Sequence, residues 1–140
     1  IRTSEVTAQV SAVAAKGSVR QALVDQQMQY GIDGGVVADG RDIGTHVFPD
    51  AELKIFLTAS VEERARRRQQ DLASQHQPVP ELTELAQAIS ERDHKDSTRE
   101  ISPLRQADDA IEVVTDSLTV ENVLDKLLTL YRETVVPGDK

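Results

Sequence analysis

Three short apolar runs alternate with stretches of helical periodicity, and this alternation restricts the chain to an α/β arrangement built on a parallel sheet. The runs are residues 36–38 (Val-Val-Ala), 52–58 (Glu-Leu-Lys-Ile-Phe-Leu-Thr) and 110–114 (Ala-Ile-Glu-Val-Val). The first passes straight into Asp39-Gly40 and reads as a buried parallel strand entering a loop. The second is the clearest strand, with Leu53, Ile55, Phe56 and Leu57 as its core. Upstream, Val6, Val10, Val13 and Ala14 give residues 5–15 a helical face that stops at Lys16-Gly17. Ser18 and Gln21 form a capping-box pattern for a second helix, through about residue 29. Ser60 and Glu63 repeat that pattern ahead of an arginine-rich helix over 61–72. Residues 73–80 read as a loop, and Pro80 suits the first turn of a helix lined by Leu82, Leu85, Ala86 and Ile89. Pro103 ends the segment that follows. Thr119 caps a last helix, whose expected buried face is Val120, Val123, Leu124, Leu127, Leu128 and Tyr131.

With 140 residues and 39% apolar content, residues 1–136 fit one compact domain or most of one, followed by a loose tail at 137–140. Three strands are few for a parallel sheet covered on both faces, and the chain opens at Ile1 without a Met. Both features lead us to expect that part of the domain lies N-terminal to this sequence. The absence of cysteine excludes a disulfide framework and a thiolate metal site. No apolar run reaches the roughly 18 residues of a spanning helix, and no leader-like segment opens the chain. These features fit a cytoplasmic protein without a membrane partner. A net charge of −8 and 3% aromatic content argue against nucleic-acid binding and base-stacking platforms.

The positive charge is nonetheless gathered in places, which points to phosphate. Asp39-Gly-Arg-Asp-Ile-Gly-Thr45 follows a strand, at the carboxyl end where open α/β sheets hold ligands. There Arg41 can grip a phosphate in bidentate fashion and Asp42 can accept from an amino group. The competing reading is a turn with a local Asp–Arg ion pair. Farther on, Arg92, Asp96 and Arg99 fall at i, i+4, i+7 and share a face if helical. Two guanidiniums flanking a carboxylate suit a phosphorylated sugar, and the alternative is a solvated charged face. Arg64, Arg67 and Arg68 share a face of the arginine helix, which could close over a triphosphate. The alternative there is a solubilising face paired with Glu62, Glu63 and Asp71. His46, His76 and His94 have no ligand spacing and are taken as surface or loop residues, and no metal site is expected on this chain.

Taken together, these segments resemble the bacterial cytidylate kinases. VVADGRDIGTHVFPDAELKIFLTASVEERARRR looks like that family's central signature, and ERDHKDSTREISPLRQADDAIEVVTDS looks like its downstream block. IRTSEVTAQVSAVAAKGSVRQAL resembles the stretch after the family's nucleotide-monophosphate insert. The resemblance is collinear over essentially the whole chain. It implies the fold of the P-loop nucleoside-monophosphate kinases and transfer of the γ-phosphoryl group of ATP to CMP or dCMP, a step of pyrimidine metabolism. By the same resemblance, Ser11, Arg20 and Asp42 recognise cytosine. Arg41 and Arg99 hold the acceptor phosphate, and Arg92 and Asp96 contact the ribose. A mobile LID over about 61–80 brings Arg64, Arg67 and Arg68 to the ATP phosphates, and Asp116-Ser117 lies near the adenine.

The sequence departs from that pattern in lacking the G-x-x-x-x-G-K-[ST] loop that holds ATP phosphates and helps hold Mg²⁺. Ser18 also stands where an arginine is common. The resemblance therefore implies a partner, the N-terminal half of the kinase with its Mg²⁺-binding loop, and an isolated chain that is inactive. Some family members are fused behind a pantoate-activating ligase, and the resemblance leaves open a bifunctional parent of that kind. The rival reading is a non-catalytic nucleotide-binding or regulatory module that keeps only the CMP half-site.

Overall fold

The computed structural model describes residues 9, 12, 13 and 16–136. The expected helix over 5–15, Ser11 and the tail at 137–140 fall wholly or largely outside them. Among the described residues four helices, a π-helical turn and two strands follow in the order α1 (Gly17–Tyr30), the π-helical turn (Ile43–Val47), β1 (Ile55–Thr58), α2 (Val61–Ser74), α3 (Leu82–Thr98), β2 (Ile111–Val114) and α4 (Val120–Thr134), residues 9, 12 and 13 being helical as well. The chain divides into two compact units. One holds residues 1–50 and 94–107, and the other holds 51–93 and 108–140.

In the second unit β1 and β2 pair in parallel, with Ile55 opposite Ile111 and Thr58 opposite Val114. The ladder is extended at both ends. Ile111 N–H donates to the Lys54 carbonyl at 2.9 Å, and Thr115 N–H donates to the Thr58 carbonyl at 2.8 Å. Lys54, almost wholly buried, reaches Asp109 at 2.7 Å beside this ladder. Val113, Ala65, Leu72 and Ala59 form the buried core of the unit. The Ser60 hydroxyl accepts from Glu63 N–H at the start of α2, as its sequence pattern requires. Thr119 and Asn122 complete a reciprocal capping box on α4.

Five sequence expectations need correction, the first being Leu57, expected in the strand core but exposed. Residues 36–38 are not a strand: Val36 and Val37 are exposed, Val37 fully so, and no described strand offers them a ladder. An apolar run becomes a strand only where its backbone groups find a partner. The face of α4 is only partly covered. Val123, Leu127 and Leu130 are half-buried, while Val120, Leu124, Leu128 and Tyr131 are exposed. A two-stranded sheet is too narrow to cover a wide apolar stripe. Helix α1 starts a residue before Ser18, with Lys16 at its N-cap and no side-chain cap. Pro80 precedes α3 rather than entering its first turn.

In the first unit Val24 of α1 and Val47 of the π-helical turn are buried. Gly31, which closes α1, lies so close to the Phe48 ring that any side-chain carbon there would collide with it. This close approach seats the π-helical turn beside the end of α1. Gly34 and Gly35 both adopt positive φ, which glycine reaches without steric cost.

Candidate acceptor-phosphate site and the arginine helix

The first unit gathers three guanidiniums and two carboxylates. The Asp42 carbonyl organises the segment, accepting from the backbone N–H groups of Thr45, His46 and Val47 and from the Thr45 hydroxyl. This convergence is what makes the turn a π-helical one, and such turns are frequent at functional sites. It also turns the Asp42 side chain inward, where only 2% of the residue is exposed, to pair with Arg20 of α1. Arg41 Nε donates to Asp96 Oδ2 at 3.2 Å. Arg99 Nη1 lies 4.0 Å from Asp96 Oδ1.

Arg99 stands just beyond the end of α3, and its orientation follows from the chain reversal there. Leu104 N–H donates to the Asp96 carbonyl at 2.8 Å, which folds residues 99–104 back over the helix end. Ser102, buried and at positive φ, accepts from Arg99 Nε through its carbonyl. Even so, Arg20 Nε and Arg99 Nη2 are buried without a hydrogen-bond partner among the described residues. A buried donor left unpaired costs about 1–3 kcal/mol, more near charge. Three cations against two anions leave the cluster with one positive charge in excess. An anion with several acceptor oxygens would meet both the excess charge and the orphaned donors.

The arginines of α2 are bound differently. Arg64 Nε donates to the Ala59 carbonyl at 3.1 Å, and its Nη1 pairs with Asp93 at 2.6 Å. Arg66 and Arg67 both pair with Glu63, a carboxylate that is almost wholly buried. Arg67 also donates to the Thr115 hydroxyl at 3.0 Å and to the Thr115 carbonyl at 2.6 Å. Arg68 makes no hydrogen bond or ion pair among the described residues. The Asp116 carboxylate accepts from Ser60 N–H with both oxygens, at 3.0 and 3.2 Å. Hydrogen bonding from Ser60 holds the Asp116 carboxyl below the usual carboxylate value. Lys54 does the same to Asp109. Glu121 is lowered by its own backbone N–H and by Thr119, at the N-terminus of α4.

The structure thus brings Arg20, Arg41, Asp42, Asp96 and Arg99 together in one unit. It places Arg64, Arg67, Arg68, Asp116 and Ser117 in the other, together with Arg92 on α3. Ser117 takes positive φ in the turn after β2. The three histidines are exposed. Sequence reasoning missed Thr115, Asp93 and Ser102. It held Glu63 as a capping residue and as a charge on a solubilising face, although its i, i+3 and i, i+4 spacing to Arg66 and Arg67 is a readable signal. Among the described residues no group of three or more acidic or histidine side chains could hold a metal ion, and no helix is long and apolar enough to cross a membrane.

Comparison with known proteins agrees with the resemblance. A family model described as cytidylate kinase matches residues 1–133. A bifunctional pantoate ligase/cytidylate kinase of Synechococcus sp. (strain RCC307) is 62% identical over 96% of the chain, and one of Nostoc sp. (strain PCC 7120 / SAG 25.82 / UTEX 2576) is 61% identical over 95%. A third, from Prochlorococcus marinus (strain MIT 9313), is 60% identical over 94%. The chain spans about a quarter of these relatives' own length, between 25% and 26% in the three.

Proposed function

The chain belongs to the cytidylate kinase family, and from that premise we propose that the full-length protein transfers the γ-phosphoryl group of ATP to CMP or dCMP. A phosphate oxygen of the acceptor attacks the γ-phosphorus, the bond to the β,γ-bridging oxygen breaks, and the products are ADP and CDP or dCDP. The protein's part in such a transfer is positioning and charge stabilisation.

One observation carries the reading: in the cluster of Arg20, Arg41 and Arg99, buried guanidinium donors of Arg20 and Arg99 stay orphaned beside Asp42 and Asp96. In this reading Arg41 and Arg99 hold the acceptor phosphate. Asp42, oriented by Arg20 and joined by Ser11, accepts from the exocyclic amino group of cytosine. Asp96 and Arg92 take the ribose hydroxyls. The helix α2 presents Arg68 to the donor phosphates, with Arg64 and Arg67 beside it, and the turn at Asp116-Ser117 lies near the adenine. Mg²⁺ travels with ATP, and among the described residues no group of three or more acidic or histidine side chains fits it. An N-terminal segment of the full-length protein supplies the loop that holds the ATP phosphates. The chain by itself keeps the acceptor half-site and does not turn over. Its setting is the cytoplasm.

The test is a coupled ADP-release assay on the full-length protein with ATP and each of CMP, dCMP, UMP and AMP. Turnover with the cytosine nucleotides well above the other two is expected. Equal turnover with UMP would remove Asp42 from base recognition. Tight CMP binding without any turnover would support the rival reading of a binding module.

A further inference from the structure

We infer that Arg67 is a positioning residue: it fixes the arginine helix α2 to the turn after β2 and so sets where Arg68 points. The inference rests on the kinase reading for its ligand and on this chain's own geometry for its mechanism.

All three kinds of nitrogen on Arg67 are committed to the protein. Nε donates to Glu63 Oε1 at 2.8 Å, one helical turn earlier on α2. Nη1 donates to the Thr115 hydroxyl at 3.0 Å, and Nη2 donates to the Thr115 carbonyl at 2.6 Å. The guanidinium therefore spans two elements with its whole planar fork, a geometry that a lysine cannot reproduce. Thr115 is 3% exposed and is itself fixed, for its hydroxyl donates to the Thr58 carbonyl at 3.0 Å and its N–H reaches the same oxygen. Asp116 then holds Ser60 N–H at the mouth of α2. The ends of β1 and β2 and the first turns of α2 are in this way tied through one hydroxyl, two carbonyls and two carboxylates.

This knot lies at the carboxyl ends of two parallel strands, the edge where α/β sheets receive ligands. With each of its nitrogens bound within the protein, the Arg67 guanidinium is anchored rather than free to swing toward a phosphate, although two of its five N–H groups remain. Arg68, the next residue, is turned about 100° around the helix and has no partner among the described residues. Fixing the rotation of α2 at Arg67 decides the direction in which Arg68 leaves the helix.

The experiment uses the full-length protein and measures the KM for ATP, the KM for CMP and kcat, together with the dissociation constant of a non-hydrolysable ATP analogue and the melting temperature. The variants are Arg67→Met, Arg67→Lys, Thr115→Val and the double variant Arg67→Met/Thr115→Val. A small misplacement of a binding group costs roughly tenfold to a hundredfold. We expect Arg67→Met to weaken ATP and its analogue by about tenfold or more, with the KM for CMP unchanged. Arg67→Lys should be no better than Arg67→Met. Thr115→Val should shift the same constants by less, and the double variant should match Arg67→Met alone. Rescue by lysine, or effects of Arg67→Met and Thr115→Val that multiply independently, would mean that Arg67 touches phosphate and would overturn the inference. A fall in melting temperature with every binding constant unchanged would reduce Arg67 to a stabilising contact and would overturn it too. A wild-type protein that binds the analogue but does not phosphorylate CMP would remove the acceptor reading, and the Arg67 and Thr115 comparison would still be decided by analogue affinity.

Discussion

In the first unit three guanidiniums, those of Arg20, Arg41 and Arg99, share two buried carboxylates, and two of their nitrogens have no partner among the described residues. In the second, Arg64, Arg66 and Arg67 each end on a carboxylate or a carbonyl. The same residue type at similar local density thus stands in two electrostatic situations. A buried donor without an acceptor is costly, so an arrangement that keeps two of them points to a ligand that supplies the missing oxygens. A guanidinium that ends on carboxylates or carbonyls of the protein, with no buried donor left unpartnered, points to architecture. Sorting arginines by whether their donors are satisfied separates the candidate site from its support better than counting positive charge does.

That contrast can be broken, and the largest effect belongs to Asp42. Removing one member of a buried ion pair costs about 3–5 kcal/mol, because the other charge is left unpaired. Asp42→Ala should therefore lower the unfolding free energy by about that amount in urea denaturation. A loss below about 1 kcal/mol would mean that the pair with Arg20 behaves as an exposed one.

Arg41 comes next, since its side chain is 43% exposed and its ion pair contributes little to the fold. Arg41→Met should weaken CMP by roughly tenfold to a hundredfold, the value of a charge-assisted hydrogen bond, while stability changes by about 1 kcal/mol at most. The reverse pattern, in calorimetry and denaturation on the same variant, would place Arg41 with the structural arginines.

Arg66 sharpens the comparison from the other side. Its side chain is 57% exposed. Arg66→Ala should cost about 0.5 kcal/mol and leave both nucleotide affinities unchanged.

The smallest effect is one of pH. Asp109, Asp116 and Glu121 are all lowered, so each is more acidic folded than unfolded. Each contributes stability that is fully present above its unfolded value and is lost as pH falls through the folded one. All three lie in the second unit. Backbone amides of that unit should lose hydrogen-exchange protection first on acidification below about pH 4, and Asp116→Asn should flatten the slope.

Local chemistry explains what could be read from the sequence. The caps at Ser60 and Thr119 depend on residues three apart, and β1 and β2 on short apolar runs, so both were legible. Residues 36–38 show where local reading stops, because their apolar character is real but a ladder partner is not a local property. The exposed Val120, Leu124 and Leu128 teach the same lesson for a helix: periodicity gives the face, and only the tertiary context says what covers it. In the candidate site the chemistry of Arg41, Asp42, Asp96 and Arg99 was readable in their own segments and sharpened by family resemblance, which alone supplied Arg20. Their gathering in one unit came from the structure, through the π-helical turn at Asp42 and the chain reversal at Ser102. Thr115 was invisible because its importance depends on a partner 48 positions away.

The most direct test of the central claim is a calorimetric titration of the full-length protein with CMP and, in parallel, with cytidine, repeated on Arg99→Met. The account predicts that the wild type binds CMP far more tightly than cytidine and that Arg99→Met removes most of that difference. Equal affinity for CMP and cytidine in the wild type would contradict it, since the arginine cluster would then hold no phosphate.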